Sequence, residues 1–319
     1  KLFPYNNYYF FNFSIIFFLF LGVFATSKFL YSINNKNSFL LTILLSFLVL
    51  ANPMRHELLF QRHWIASTFS LPILLFFTKV YFDQKKPVCY FYISLAMCLS
   101  LYLGSIATLQ NILMASFIHL ILHCFYKKEI FSNVASYFKL ILSSLILTLL
   151  IGSWVWYPIF LEYFTIGYDR SYVEFFDLKN FHFSFAFHNL IKFFFGLFNS
   201  GIFSSLSNLP DKGLLPLNSW FNVIPIFPLI FVFYLFNKTK NYWEFVAKYA
   251  VLFYLLHYFL IIFFGGYKNL PIYFFKLYSW HKIFLENYFF QIILINFFFL
   301  RINEFKFSKN FYFNISKNI

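Results

Sequence analysis

The sequence carries little charge. Charged side chains make up 11% of its 319 residues and hydrophobic side chains 61%, and the mean hydropathy is +0.69. A soluble domain of this length could not bury so much apolar surface in its core. The scarcity of charge therefore excludes an ordinary soluble globular protein.

Three further scarcities exclude other classes. The net charge is +14, but no run of Lys and Arg is longer than two, so we expect no nucleic-acid-binding tract. The three cysteines, Cys89, Cys98 and Cys124, lie in apolar blocks without metal-type pairing, which argues against a disulfide framework or a zinc site. No glycine-rich phosphate loop or dinucleotide-binding pattern is present, which argues against a soluble nucleotide-binding domain.

The sequence consists instead of apolar blocks, each near the roughly 17–25 residues with which a helix crosses a bilayer. In lipid, such blocks can satisfy their backbone polar groups only as helices. They predict an all-α, polytopic membrane protein with a single integral membrane domain over residues 1–319. We predict about nine transmembrane helices, at 8–27, 37–52, 64–82, 88–104, 108–126, 137–158, 219–236, 246–265 and 284–301.

One long connection, the loop at 159–218, separates the sixth predicted span from the seventh. It is rich in acidic residues, whereas the other connections are short. Within it, His188, Asn189 and Lys192 would share one face of a helix, which predicts an interfacial or re-entrant helix.

The distribution of Lys and Arg predicts the orientation. If the C-terminus is cytoplasmic, fifteen basic residues fall on that side, against six in the short outer connections and at the start of the chain. Because basic residues accumulate on the cytoplasmic side, we predict a cytoplasmic C-terminus and an outward-facing loop at 159–218.

Two outer segments carry candidate binding residues. The connection before the third span holds Arg55, Arg62 and His63, whose donors suit a phosphate or pyrophosphate; the alternative is a solvated turn. Gln110 follows the uncharged turn that begins at Gly104 and lies where the next helix enters the bilayer. An ordinary helix start also explains Gln110, and this second interpretation is favoured.

Acidic and basic groups follow the sixth span. Pro158 ends this span, Glu162 then lies at the outer rim, and Asp169 and Arg170 come shortly after it. A rim carboxylate is expensive to leave unpaired. An internal Glu162–Arg170 salt bridge and a role in binding substrate are both consistent with this pattern.

Two histidines stand four residues apart in the fifth span. His119 and His123 have the spacing of a paired metal or haem ligand set. Lys127 follows closely and no third ligand is obvious, so we favour a pair at the membrane interface over a metal site.

Several short segments follow one another in a recognisable order along the chain: Leu21–Tyr31, Val49–Pro53, Arg62–Trp64, Leu71-Pro72, Gly104–Gln110, Tyr157–Glu162, Asp169–Ser171, His182–Leu190 and Asn218–Pro225. This order resembles YfhO-like bacterial membrane proteins, which belong to the lipid-dependent glycosyltransferases of the C superfold (GT-C). The resemblance covers most of the chain, although its motifs are short, and Ala107-Thr108 replace the His-Pro that is frequent in the family.

The resemblance implies transfer of a sugar on the outer face, from a polyprenyl-phosphate donor to a cell-envelope glycan or lipid. Arg55, Arg62 and His63 would contact phosphate, and the other substrate-binding candidates are Gln110, Glu162, Asp169 and Arg170. The family's catalytic acidic residue is expected in the first outer loop, yet nothing acidic precedes Glu57. We therefore expect that residue upstream of Lys1, or a loss of activity.

Two other functions remain open: a transporter or flippase for lipid-linked saccharides, and a non-catalytic membrane assembly subunit. Transport favours ionisable residues within spans and inverted repeats, and the sequence has few of the former and no visible repeat. The expected partners are membrane lipids and the lipid-linked sugar, with no nucleic acid, and the expected location is the bacterial cytoplasmic membrane. No metal ligand set is assigned, and a divalent cation stays open as a cofactor.

Overall fold

The computed structural model describes residues 8–34, 39–48, 65–103, 106–127, 130–154, 156–158, 161, 224, 226–263 and 284–301. This part of the chain is helical and contains no strand, which confirms the predicted all-helical fold there. Its helices are α1 (Tyr8–Ile33), α2 (Phe39–Phe47), α3 (Ile65–Gln84), α4 (Val88–Leu103), α5 (Ile106–Lys127), α6 (Ile130–Ile151), α7 (Phe227–Phe236), α8 (Tyr242–Phe263) and α9 (Phe284–Arg301).

Among the described residues, three helices are long and apolar enough to cross a membrane. The stretches that meet both requirements lie in α1, α5 and α6, at Ile16–Ile33, Thr108–Lys127 and Ser132–Ile151. By contrast, α2 has 9 residues and α7 has 10. At about 1.5 Å per residue, these two described helices are about 14–15 Å long, roughly half of a hydrocarbon core.

The start of α8 shows how local sequence sets a helix boundary. The Asn241 side-chain oxygen accepts a hydrogen bond from the Glu244 backbone N–H at 2.8 Å, and the Glu244 carboxylate accepts one from the Lys240 N–H at 2.5 Å. These contacts satisfy two backbone donors near the helix start. The helix therefore begins at Tyr242, four residues before the predicted span at 246–265.

A tight turn joins α3 to α4. Lys85 has a φ of 52°, in the left-handed region, and its N–H donates to the Tyr81 carbonyl at 2.8 Å, which ends α3. Pro87 follows and precedes the first residue of α4. The turn brings the two helices back alongside each other, and Tyr90 donates a hydrogen bond to the Tyr81 hydroxyl at 3.0 Å.

Five of the described helices pack against α9. This helix contacts α2, α3, α5, α7 and α8, and the side chains of Phe290, Ile293 and Leu294 are fully buried. Large apolar side chains also stand on the outside of the described helices, among them Phe117 and Leu150. Such a surface is unusual for a soluble protein.

A glycine allows α1 and α3 to approach closely. A Cβ added at Gly22 would lie 2.7 Å from the Thr68 hydroxyl oxygen and 3.3 Å from the Thr68 carbonyl oxygen. Small residues permit this kind of backbone approach between membrane helices. A larger residue at position 22 would therefore require the Thr68 side chain or one of the two helices to shift.

Candidate functional site

Six of the predicted site residues lie outside the described residues: Arg55, Arg62, His63, Glu162, Asp169 and Arg170. Their roles stay predictions, as does the loop at 159–218, of which the structure describes only Leu161. Gln110 is described, and it lies half-buried in the second turn of α5. Its neighbour Asn111 is buried.

The two histidines of α5 lie inside the bundle. His119 is 2% exposed and His123 is 6% exposed. The Tyr242 hydroxyl of α8 lies 2.7 Å from His119 Nε2 and 2.8 Å from His123 Nδ1, and the Tyr137 hydroxyl of α6 lies 3.0 Å from His119 Nδ1. Tyrosines from two neighbouring helices therefore cover both rings, and the placement of this pair at the membrane interface stays a prediction.

The hydrogen bonds of this cluster run in one direction. Tyr137 donates to the Ser116 backbone carbonyl at 3.0 Å, and a carbonyl can only accept. The Tyr137 oxygen must then accept the proton of His119 Nδ1, which leaves Nε2 as the acceptor for Tyr242. The Tyr242 oxygen in turn accepts the proton of His123 Nδ1.

This directed chain, from His123 through Tyr242, His119 and Tyr137 to the Ser116 carbonyl, assigns the tautomers of both imidazoles. Both nitrogens of His119 are engaged, so this ring has no lone pair for a metal ion. Within the described residues, no three His, Cys, Asp or Glu side chains are grouped as a metal site requires. This chain of hydrogen bonds instead connects α8 to α5 and α6.

Aromatic rings enclose the same cluster. Trp243 stacks on His119 with ring centres 5.2 Å apart, and Phe82 of α3 lies 4.8 Å from the His123 ring. Polar groups enclosed by apolar rings cannot replace a lost hydrogen bond with water. We therefore assign the cluster a structural role.

A buried ion pair joins α8 to α9. Glu244 is fully buried and forms a short salt bridge with Arg301, whose side chain is mostly buried. The Glu244 carboxylate also accepts the Lys240 backbone N–H described above. Because its charge is matched and hydrogen-bonded, Glu244 is satisfied by the fold itself.

Glu286 is different. It lies in the first turn of α9 and is 1% exposed. Apart from its own backbone amide, neither carboxylate oxygen has a hydrogen-bond partner among the described residues. The neighbouring Asn287 and Gln291 side chains are also fully buried.

Among the described residues, little offsets the cost of burying the Glu286 carboxylate. A helix N-terminus stabilises a negative side chain by about 0.3–1 kcal/mol, rising to ~2 kcal/mol in partly buried geometries. Removing a carboxylate from water costs several kcal/mol, even after the protein has relaxed around it. A buried ionisable group whose cost the described structure does not offset is a candidate functional residue.

Sequence reasoning missed Glu286, although a signal for it existed. The residue lies inside the predicted span 284–301, and an ionisable residue within a span marks a functional position by default. Tyr242 was missed for another reason, since it lies outside the predicted span 246–265. The capping pattern Asn241-x-x-Glu244 would have moved the helix start and placed Tyr242 within α8.

No family model, curated protein or solved structure matches this chain. A proposal about its function must therefore be carried by its own residues.

Proposed function

We propose that the chain is an integral membrane protein of nine spans, with α2 and α7 each forming part of one span, and with a cytoplasmic C-terminus. Three long-range contacts support this alternation: the reciprocal side-chain hydrogen bonds of Asn34 and Asn296 at 2.7 and 2.9 Å, the His123–Tyr242 hydrogen bond, and the Glu244–Arg301 salt bridge. If successive spans cross the membrane in opposite directions, both residues of each contact lie in the cytoplasmic half.

In this orientation Glu286 belongs to the outer half of the bundle. It lies fifteen residues before Arg301 along α9, which corresponds to about 22 Å at 1.5 Å per residue. Since the hydrocarbon core is about 30 Å thick, a cytoplasmic Arg301 leaves Glu286 below the outer surface.

We further propose that the protein transfers a sugar at its outer face from a polyprenyl-phosphate donor to a cell-envelope glycan or lipid. The observation that carries this proposal is the buried carboxylate of Glu286. A carboxylate can act as a general base toward a hydroxyl, and Glu286 is a buried acidic residue that the proposed topology places in the outer half of the bundle.

The proposed step transfers one proton and one glycosyl group. The Glu286 carboxylate takes the proton of the acceptor hydroxyl, and the hydroxyl oxygen bonds to the anomeric carbon of the sugar. The bond between that carbon and the phosphate oxygen breaks, and its electron pair leaves with the polyprenyl phosphate. Arg55, Arg62 and His63 would stabilise the charge that develops on this phosphate.

The remaining predicted residues complete the proposal. Glu162, Asp169, Arg170 and Gln110 would line the pocket for donor and acceptor at the outer rim. The expected surroundings are the lipids of a bacterial cytoplasmic membrane, and a divalent cation stays open as a cofactor.

The test compares Glu286→Gln with Asp83→Asn. Both changes neutralise one carboxylate, but Asp83 is exposed at the end of α3 and bonded to Lys79. Membranes with each variant in the full-length protein are incubated with a radiolabelled polyprenyl-phosphate sugar and cell-envelope acceptors. Glu286→Gln should abolish transfer at normal folded yield, whereas Asp83→Asn should transfer as the unmodified protein does.

A second function, a flippase for lipid-linked saccharides, is favoured by the same observation, because ionisable groups buried in membrane bundles mark transport pathways. Reconstituted vesicles distinguish the two functions. Movement of a lipid-linked saccharide across the bilayer that depends on Glu286, without any transfer, supports the flippase. Full transfer by Glu286→Gln refutes the assignment of the base, and the absence of both activities leaves the assembly subunit.

A further inference from the structure

Four exposed lysines lie at the ends of α3 to α6 that the proposed topology places in the cytoplasm. Lys85 and Lys86 occupy the α3–α4 turn, Lys127 is the last residue of α5, and Lys139 lies in the third turn of α6. We call these four residues the basic patch.

One aromatic cluster lies among the helix ends that carry these lysines. The Lys85 ammonium lies 5.0 Å from the centre of the Tyr81 ring and 4.9 Å from that of Phe82. The Phe82 ring in turn lies 4.8 Å from that of His123, four residues before Lys127 on α5, and 5.9 Å from that of Tyr137, two residues before Lys139 on α6. The segments that carry Lys85, Lys127 and Lys139 therefore pack against one another at Phe82.

The charge of the basic patch is not compensated locally. Asp83 is the only acidic residue that the structure describes in α3 to α6 and their turn, and it is bonded to Lys79 at 2.8 Å. The connection between α5 and α6 contains Lys128 and Glu129, which together add no net charge. An anion at this surface would thus meet several positive charges and no unpaired described carboxylate.

We propose that the basic patch binds the phosphate headgroup of an anionic phospholipid of the cytoplasmic leaflet. The lysines lie where helices leave the bilayer, which is the level of the headgroups. Basic groups near this surface are attracted to anionic lipid, and an ammonium suits a phosphate as a compact charge with three donors. The proposal is independent of sugar transfer, because it concerns the opposite face.

The test measures the thermal unfolding midpoint of delipidated protein in a neutral detergent. The protein is titrated with short-chain phosphatidylglycerol and, separately, with short-chain phosphatidylcholine or inorganic phosphate. Only phosphatidylglycerol should raise the midpoint. In Lys85→Gln/Lys127→Gln, the phosphatidylglycerol concentration that gives half of the shift should rise roughly 30-fold, as expected from the loss of two surface lysines.

The matched control is Lys28→Gln/Lys238→Gln, which removes two exposed lysines from other helix ends of the same face. It should keep the response of the unmodified protein, and Lys85→Arg/Lys127→Arg, which retains both charges, should respond as well. An equal loss in the test and control pairs would reduce the effect to general surface charge and overturn the proposal. A shift with inorganic phosphate as large as with phosphatidylglycerol, or no shift with phosphatidylglycerol, would also overturn it.

Discussion

Removing the Tyr242 hydroxyl should destabilise the protein through two hydrogen bonds at once. In Tyr242→Phe, His119 Nε2 loses a donor at 2.7 Å and His123 Nδ1–H loses an acceptor at 2.8 Å, while the ring and its packing stay. Leaving a buried polar group unsatisfied costs about 1–3 kcal/mol, and polar contacts within membrane bundles average nearer ~0.6 kcal/mol. For two groups we expect a loss of about 2 kcal/mol in the free energy of unfolding.

The measurement is reversible unfolding in mixed detergent micelles, followed by circular dichroism. The control is Tyr126→Phe, because Tyr126 is 40% exposed and packs its ring 5.1 Å from that of Tyr242. We expect this control to change stability by less than about 0.5 kcal/mol, as for most surface substitutions. Equal stabilities of the two variants would refute the directed hydrogen-bond chain.

Three other substitutions test separate parts of the structure. Gly22→Ala should lower the free energy of unfolding by about 1–3 kcal/mol, since its methyl group would overlap Thr68, and adding Thr68→Ala should partly restore it. Glu244→Gln removes the charge opposite the mostly buried Arg301 and should cost about 3 kcal/mol in the same unfolding assay. Glu162→Gln should abolish sugar transfer without changing folded yield if this rim residue binds substrate; a lower folded yield with normal transfer would assign it a structural salt bridge instead.

The hydrophobic pattern closely predicted the limits of those helices whose whole length is apolar. The predicted span 284–301 and α9 have the same limits, and 88–104 differs from α4 by one residue. The predicted span boundaries were wrong where a helix continues into polar sequence. The predicted spans at 137–158 and 246–265 begin after their helices do. At α8, the hydrogen bonds of Asn241 and Glu244, rather than hydropathy, set the start.

The candidate site was less predictable, because it depends on which helices are neighbours. The spacing of His119 and His123 was visible, but only the packing of α5 against α6 and α8 shows that tyrosines engage them. The burial of Glu286 follows in the same way from the central position of α9. Gln110 was correctly placed near a helix start, while the other predicted site residues lie outside the described structure.

The orientation of the bundle decides whether Glu286 belongs to the outer half, and single-cysteine labelling tests it most directly. The native Cys89, Cys98 and Cys124 are replaced first, and cysteine is then introduced at Ser204 or at Ser308. In intact cells, a membrane-impermeant thiol reagent should label Ser204→Cys and should label Ser308→Cys only after permeabilisation. Labelling of Ser308→Cys but not of Ser204→Cys in intact cells would contradict the orientation and the placement of Glu286.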